Sequence, residues 1–153
     1  MGSVTESVDV NVDVSTAYNQ WTQFEDFPRF MSNVERIVQK DDTHLHWIVK
    51  VGPVTREFDA TITEQHPDER IAWASDDGPK HAGVVTFHRL DEGRARVTAQ
   101  MDIDPEGFVE QVGDKLGVLS NRVQSDMQQF KSFIESRGGT ETGAYRGDVD
   151  RPS

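Results

Sequence analysis

Apolar and polar residues alternate along much of the chain. The first run, Val8 to Val14, places a valine at every second position, which predicts a half-buried strand. The same period of two recurs in six later segments, and we expect strands at about 34–39, 44–51, 54–65, 70–75, 81–90 and 94–102. Turn residues separate these segments, and no stretch between them has a helical period long enough for a crossover helix. The pattern therefore predicts an antiparallel meander.

Helical patterns lie before and after this meander. Ser15 and Asp26 each precede a short amphipathic stretch, which predicts two short helices rich in aromatic residues: Tyr18, Trp21, Phe24, Phe27 and Phe30. After the last strand, Asp104-Pro105-Glu106 is typical of a helix start, and apolar residues then recur every three or four positions to about Arg137. A helix of roughly 30 residues is about 45 Å long, so it can cover the apolar face of the sheet.

The elements predict a single α+β domain over residues 1–137. In this domain a seven-stranded antiparallel sheet wraps around the long C-terminal helix, and the two short helices follow the first strand. Residues 138–153 have no apolar period, and we expect them to form a disordered C-terminal tail. A chain of 153 residues buries enough surface to fold without disulfide or metal support.

Charge and composition exclude several classes of function. The 27 acidic residues outnumber the 16 basic ones, for a net charge of -11, which disfavours nucleic-acid binding because affinity for phosphates depends on Lys and Arg. The chain has no cysteine, which excludes thiol catalysis, disulfides and iron-sulfur clusters. Its apolar runs are far shorter than the roughly 20 residues that span a bilayer. We therefore expect a cytoplasmic protein with no transmembrane segment and no nucleic-acid partner.

Several motifs, in this order, make the chain similar to the SRPBCC superfamily (START-like, helix-grip fold) over about residues 4–137. They are Phe24–Met31, Phe58–Glu64, Arg70–Trp73, Gly83–Phe87, Arg96–Thr98 and Asp104–Gly107. Within that superfamily the chain resembles the polyketide cyclase/dehydrase and coenzyme-Q-binding families. The resemblance implies an elongated apolar cavity between the sheet and the long helix. It also implies that the chain binds or transports a small hydrophobic ligand: a lipid, an isoprenoid quinone or a polyketide-like compound.

The candidate ligand-binding residues are apolar side chains expected on the inner faces of the sheet and the helix. They are Trp47, Phe58, Trp73, Phe87, Met101, Leu119, Val123 and Met127. Each of them can also be an ordinary core residue, and the two roles are compatible because ligand pockets are lined mainly by apolar and aromatic side chains. The aromatic residues of the short helices either form a mobile lip or plug the end of the fold. If the pocket is vestigial, this short-helix region is where a protein partner would dock.

The resemblance also allows an alternative function, that of an enzyme. Such an enzyme would be an aromatase/cyclase or dehydratase that acts on a bound polyketide. General acid–base chemistry needs a titratable or charged side chain inside the pocket. The catalytic candidates on this reasoning are Arg56, His88 and Arg122. The polar set that such cyclases use is not matched residue by residue in this sequence.

We expect no cofactor and no metal site. His44 and His46 share one face of a strand, a spacing that metals use, but this face is opposite Trp47 and local spacing fixes no third ligand near it. His66 and His81 lie at predicted strand ends, and we interpret both as polar surface residues. The sequence also has no glycine-rich phosphate loop and no Gly-x-Ser-x-Gly motif, so neither nucleotide binding nor serine hydrolysis has support.

Overall fold

The structure is a computed structural model that describes residues 2–31, 34–51, 54–76, 81–103, 115–137, 143 and 149–150. Its strands are β1 (Gly2–Val10), β2 (Val34–Gln39), β3 (His44–Val51), β4 (Val54–His66), β5 (Arg70–Ser75), β6 (His81–Asp91), β7 (Arg94–Ile103) and β8 (Val149–Asp150). Its helices are α1 (Val14–Trp21), a 3₁₀ helix (Phe24–Arg29) and α2 (Lys115–Ser136). The six predicted strands of the meander are confirmed, with ends that differ by at most one residue.

Strands β1 to β7 form one antiparallel sheet in the order β1-β7-β6-β5-β4-β3-β2. Consecutive strands of the meander pair with each other, and β1 returns to pair with β7, so that Val8 lies opposite Val97. The seven-stranded antiparallel sheet and the C-terminal helix confirm the predicted α+β architecture. Residues 104–114, the predicted first turns of the long helix, lie outside the described residues.

Along most of the strands, alternate side chains are buried on the face of the sheet that packs against the helices, which we call the inner face. The residues that form it include Val8, Val10, Leu45, Trp47, Val49, Phe58, Ala60, Ile62, Ile71, Trp73, Val85, Phe87, Val97, Ala99 and Met101. Their neighbours in sequence lie on the outer face and are mostly exposed or half-buried. This pattern follows from the period-two geometry of a strand that is covered on one side only.

Helix α2 packs against β1 and the inner face through one apolar stripe, formed by Val123, Met127, Phe130 and Ile134. Hydrogen bonds tie the C-terminal half of the helix to the first strand and to the connection between that strand and α1. Lys131 Nζ donates to the backbone oxygen of Asp9 (2.9 Å), and the backbone N–H of Asn11 donates to the Glu135 carboxylate (2.8 Å). These bonds fix the C-terminal half of α2 beside β1.

The short helices plug one end of the space between the sheet and α2. Trp21, Phe24, Phe27, Phe30 and Met31 are all buried. The Phe27 ring contacts the Trp47 ring of the sheet, with centroids 5.9 Å apart, and the Trp21 ring lies 5.2 Å from that of Phe130 on α2. These edge-to-face and tilted contacts are those that aromatic rings favour in a packed core. Of the two arrangements considered for this region, the structure has the plug.

The predicted disordered tail lies mostly outside the described residues. Two of its residues, Val149 and Asp150, form β8 and pair with Gln65 and Glu64 of β4, beyond the end of β3. At these two residues the structure differs from the predicted disorder, because the free edge of β4 offers backbone hydrogen bonds that the sequence pattern does not reveal. No helix in the part of the chain that the structure describes combines the length and apolar character needed to cross a membrane.

Candidate functional site

His81, the first residue of β6, is buried on the inner face with only 5% of its surface exposed. Its interpretation as a polar surface residue is wrong. The signal that would have placed it inside is the alternation along β6, because Phe87 and Val85 point inward and the same period of two leads back through Gly83 to His81. Its position at a predicted strand end obscured this pattern.

Among the residues that the structure describes, three aromatic rings pack against the His81 imidazole. Its centroid lies 4.8 Å from that of Trp47, 5.3 Å from Phe58 and 6.3 Å from Trp73. The Trp47 ring in turn stacks on Phe58 and on Trp73, at 5.8 and 5.6 Å. We call these four residues the aromatic site. The structure thus brings together three of the predicted ligand-binding residues and adds a histidine that the sequence reasoning missed.

His81 is held in one protonation state by its surroundings. Burial lowers its pKa to about 4, because the charged imidazolium would lose its hydration in this apolar environment. Trp73 Nε1–H donates to His81 Nδ1 (3.3 Å), and the His81 backbone N–H donates to Ser75 Oγ (3.1 Å). A neutral imidazole has one acceptor nitrogen and one N–H, so Nδ1 is the acceptor and Nε2 carries the proton.

Gly83 provides the space for the Trp73 indole. The two residues are opposite each other in the pairing of β5 with β6. A Cβ atom at position 83 would lie 2.5 Å from Trp73 Cζ2, well inside van der Waals contact. The indole therefore lies over the backbone of β6 at the position where that strand has no side chain, which lets Trp73 reach His81.

Arg56 lies beside the aromatic site. It precedes Phe58 by two residues on β4, and its pairing partner on β3 is Val49, which is buried on the inner face. The period of two therefore places Arg56 on the inner face, where it is half-buried. Among the three catalytic candidates, this is the residue that the sheet register positions next to the aromatic rings.

The other two catalytic candidates occupy different surroundings. His88 is exposed and lies on the outer face of β6, opposite Arg96 of β7, so it is on the wrong side of the sheet for an interior ligand. Its neighbour Phe87 points inward, and the alternation requires the opposite for His88. Arg122 lies on α2 next to Val123 and is half-buried. Since Arg56 and His88 are on opposite faces, the three candidates do not form one cluster.

The remaining predicted ligand-binding residues lie around the inner face at different distances from the aromatic site. Met101 is buried opposite Gly83 on β7, and Phe87 packs against the Tyr18 ring of α1, with centroids 5.4 Å apart. Val123 and Met127 are buried on α2. The side chain of Leu119 lies outside the part of the structure that is described. Contact of any of these residues with a ligand stays a prediction.

His46, on the outer face, takes part in a surface ion-pair network. Its Nδ1 lies 2.8 Å from Asp59 Oδ1 and its Nε2 lies 3.0 Å from Glu57 Oε1. These hydrogen bonds, the one to Asp59 above all, raise the pKa of His46. Lys40 Nζ also donates to Asp59 (2.8 Å), so both ring nitrogens of His46 are engaged in a charged network at the surface.

Three grooves lined by described residues lie on the surface, with volumes of about 510, 620 and 550 Å³. Polar and charged side chains dominate their walls, for example Gln128 and Lys131 in the groove between α2 and β1. None of the three contains a predicted ligand-binding residue.

Comparison with known proteins agrees with this architecture. Residues 10–132 match the family model described as "Polyketide cyclase / dehydrase and lipid transport". An uncharacterized 17.2 kDa protein of Streptomyces lincolnensis, from the melC2-rnhH intergenic region, is 56% identical over 150 residues, which cover 97% of this chain and 99% of the relative.

Two solved structures show the same fold at 13% identity. One is the Zhui aromatase/cyclase from Streptomyces sp. R1128, with a TM-score of 0.69 over 89% of this chain and 94% of the other. The second is a START superfamily protein from Mycobacterium smegmatis, with a TM-score of 0.67 over 90% of this chain and 97% of the other. The predicted START-like, helix-grip resemblance is thereby confirmed. The chain belongs to the polyketide cyclase/dehydrase and lipid transport family.

Proposed function

We propose that the chain binds a small hydrophobic ligand between the inner face of the sheet and α2, with the aromatic site as its recognition element. The observation that carries this proposal is the grouping of Trp47, Phe58 and Trp73 around a buried, neutral His81. Pockets for small molecules combine apolar and aromatic walls with a few polar groups that fix orientation. His81 and the adjacent Arg56 are polar groups of that kind. A lipid, an isoprenoid quinone or a polyketide-like compound fits this description.

Binding without turnover agrees better with the site than catalysis does. A general base works best when its pKa lies near the working pH, whereas burial lowers the pKa of His81 to about 4. The imidazole is therefore a poor proton acceptor at neutral pH. His88 is exposed on the outer face, which leaves Arg56 as the charged candidate next to the aromatic rings, and guanidinium stays protonated. These features favour a carrier over an aromatase/cyclase.

A docking role at the short helices has less support. Their aromatic side chains are buried, and among the residues that the structure describes the exposed large apolar side chain is Leu90, at 37%. Leu90 lies at the far end of β6 from His81. A docking protein would be expected to expose a contiguous apolar patch.

The first test is mass spectrometry of the purified protein, under native conditions and after extraction with organic solvent. A carrier is expected to co-purify with a lipophilic compound in stoichiometric amount. In parallel, thermal unfolding is measured with a panel of quinones, fatty acids and polycyclic ketones. A ligand at 100 times its Kd stabilises by about 2.7 kcal/mol, which raises the Tm by about 5–10 °C for a chain of this length.

A matched pair of variants tests whether the aromatic site is responsible. Phe58→Leu changes a ring that stacks on Trp47 and His81, and Phe133→Leu makes the same change on α2, where the ring packs against Phe30. We expect the first variant to lose most of the ligand-induced rise in Tm and the second to keep it. An empty protein with no rise in Tm for any compound, or equal losses in the two variants, would contradict the proposal.

A further inference from the structure

Strand β8 occupies a part of the edge of β4 that β3 leaves open. The pairing of β3 with β4 ends at His44 and Thr61, whereas β4 continues to His66. Glu64 and Gln65 lie in this extension, and β5 pairs with one side of it. Strand β8 pairs with the same two residues and therefore lies on the side where β3 has ended, because a strand has only two edges along which backbone hydrogen bonds form.

A second contact ties this part of the chain to the short helices. Gly143 is half-buried and lies against Gln23, in the connection between α1 and the 3₁₀ helix. A Cβ atom at position 143 would lie 2.7 Å from Gln23 Oε1 and 2.9 Å from Gln23 Cδ, so the backbone at Gly143 packs directly on this side chain. The Gln23 side chain is itself held in place, because its Nε2 donates to Thr22 Oγ1 (2.9 Å) and Thr22 is buried.

The end of α2 also lies against the short-helix region. The ring of Phe133, in the last turn of α2, lies 5.8 Å from the ring of Phe30, which directly follows the 3₁₀ helix. Further along the chain, Gly143 contacts Gln23, and β8 then begins at Val149. At no more than about 3.6 Å per residue, the connection from Gly143 to Val149 spans at most about 22 Å. This connection is short enough for the two contacts to restrain each other.

We propose that Gly143 and β8 form a strap that holds the short helices against the sheet, so that release of β8 from β4 opens the plugged end of the fold. Such an opening exposes aromatic side chains that are buried in the closed form, namely those of Trp21, Phe24, Phe27 and Phe30. The strap does not depend on the proposed ligand, because its contacts lie outside the aromatic site.

The short length of β8 allows this release while the sheet stays intact. Strand β8 has two residues, against six or more in each of β1 to β7. A short pairing has few backbone hydrogen bonds to break at once, and such segments open locally without unfolding of the whole domain. Other contacts of the short helices persist when β8 is released, among them the bond from the Gln39 N–H to the Glu25 carboxylate (3.0 Å). The strap therefore sets how often this end opens rather than whether the protein folds.

A pair of double variants tests the strap through backbone hydrogen exchange, measured by NMR on the full chain. Val149→Pro combined with Asp150→Pro removes both backbone N–H groups of β8, and proline does not fit within a paired strand. Val149→Ala combined with Asp150→Ala changes the same two residues but keeps their N–H groups. The alanine variant is therefore the matched control for the loss of backbone pairing.

The reporters are amides that are hydrogen-bonded within or next to the 3₁₀ helix, those of Asp26, Phe30 and Met31. In the proline variant we expect them to exchange about three- to tenfold faster than in the unaltered chain, the factor for losing one neutral hydrogen bond. Slow amides in the pairing of β1 with β7 should change by less than about twofold, because the opening is local. The alanine variant should change neither set of amides. Unchanged reporters in the proline variant, or an equal acceleration of both sets, would overturn the proposal.

A second measurement uses the unaltered chain and so does not depend on the folding of a variant. Antiparallel pairing brings backbone protons of β8 and β4 close enough for nuclear Overhauser effects between the two strands. We expect such effects between Val149 and Gln65 and between Asp150 and Glu64. Their absence, with the amides of Val149 and Asp150 exchanging as fast as those of an unstructured peptide, would also overturn the proposal.

Discussion

Replacing His81 with phenylalanine tests whether the histidine is buried in its neutral form. The test is how the free energy of unfolding of the two proteins changes with pH. Phenylalanine keeps a flat ring in contact with Trp47 and Phe58 and removes the titrating group. In the folded protein the pKa of His81 is about 4, against about 6.5 for an unperturbed histidine. The folded state therefore resists protonation, and the unfolded chain accepts a proton more readily.

The size and sign of the effect follow from this difference in pKa. The contribution of neutral His81 to the free energy of unfolding is fully present above about pH 6.5 and decreases as the pH falls towards 4. One pKa unit corresponds to about 1.4 kcal/mol, so the whole difference amounts to roughly 3 kcal/mol. Between pH 7 and pH 5, the original protein should lose about 2 kcal/mol that His81→Phe does not lose.

The assay is chemical denaturation of both proteins at several pH values between 7 and 5. The quantity of interest is the difference in the free energy of unfolding between them, because the titration of other groups cancels in it. These groups include His46, whose pKa is raised, and Asp59, whose pKa is lowered by its hydrogen bonds to Lys40 and His46. If the two stability curves stay parallel over this range, His81 is not buried in the neutral form and the reasoning is refuted.

Three further predictions concern residues around the aromatic site and the surface network. Gly83→Ala should lower the free energy of unfolding by about 1–3 kcal/mol, because its Cβ would lie 2.5 Å from Trp73 Cζ2; an unchanged denaturation midpoint would contradict this. Asp59→Asn removes the main cause of the raised pKa of His46. An NMR titration should therefore give a lower pKa for His46 in this variant than in the unaltered protein. Phe130→Ala leaves a cavity in the core and should cost about 3–5 kcal/mol, measured by urea denaturation.

The alternation of residues determined most of the fold. Strands such as β3 and β7 bury every second residue, and turn residues mark where each strand ends. Since a one-residue shift would move a whole apolar set to the outer face, this pattern fixes which residues of such strands face the core. It also fixed, in principle, the inward position of His81 and Arg56 and the outward position of His88.

Pairings between distant segments were decided only by the tertiary structure. The pairing of β5 with β6 places Gly83 opposite Trp73, and this brings the Trp73 indole to His81 Nδ1. The pairing of β8 with the edge of β4 has no local signal. Contacts with distant elements, such as Phe27 with Trp47 of β3 and Trp21 with Phe130 of α2, also decide that the short-helix aromatics form a plug.

The sequence thus determined which residues face inward, because that depends on local backbone geometry. The tertiary structure decided which of them meet, because such contacts depend on strand register and on the packing of helices from distant parts of the chain. The pKa of His81 arises from these contacts. It is a property of the assembled aromatic site, since desolvation is set by every group that surrounds a side chain.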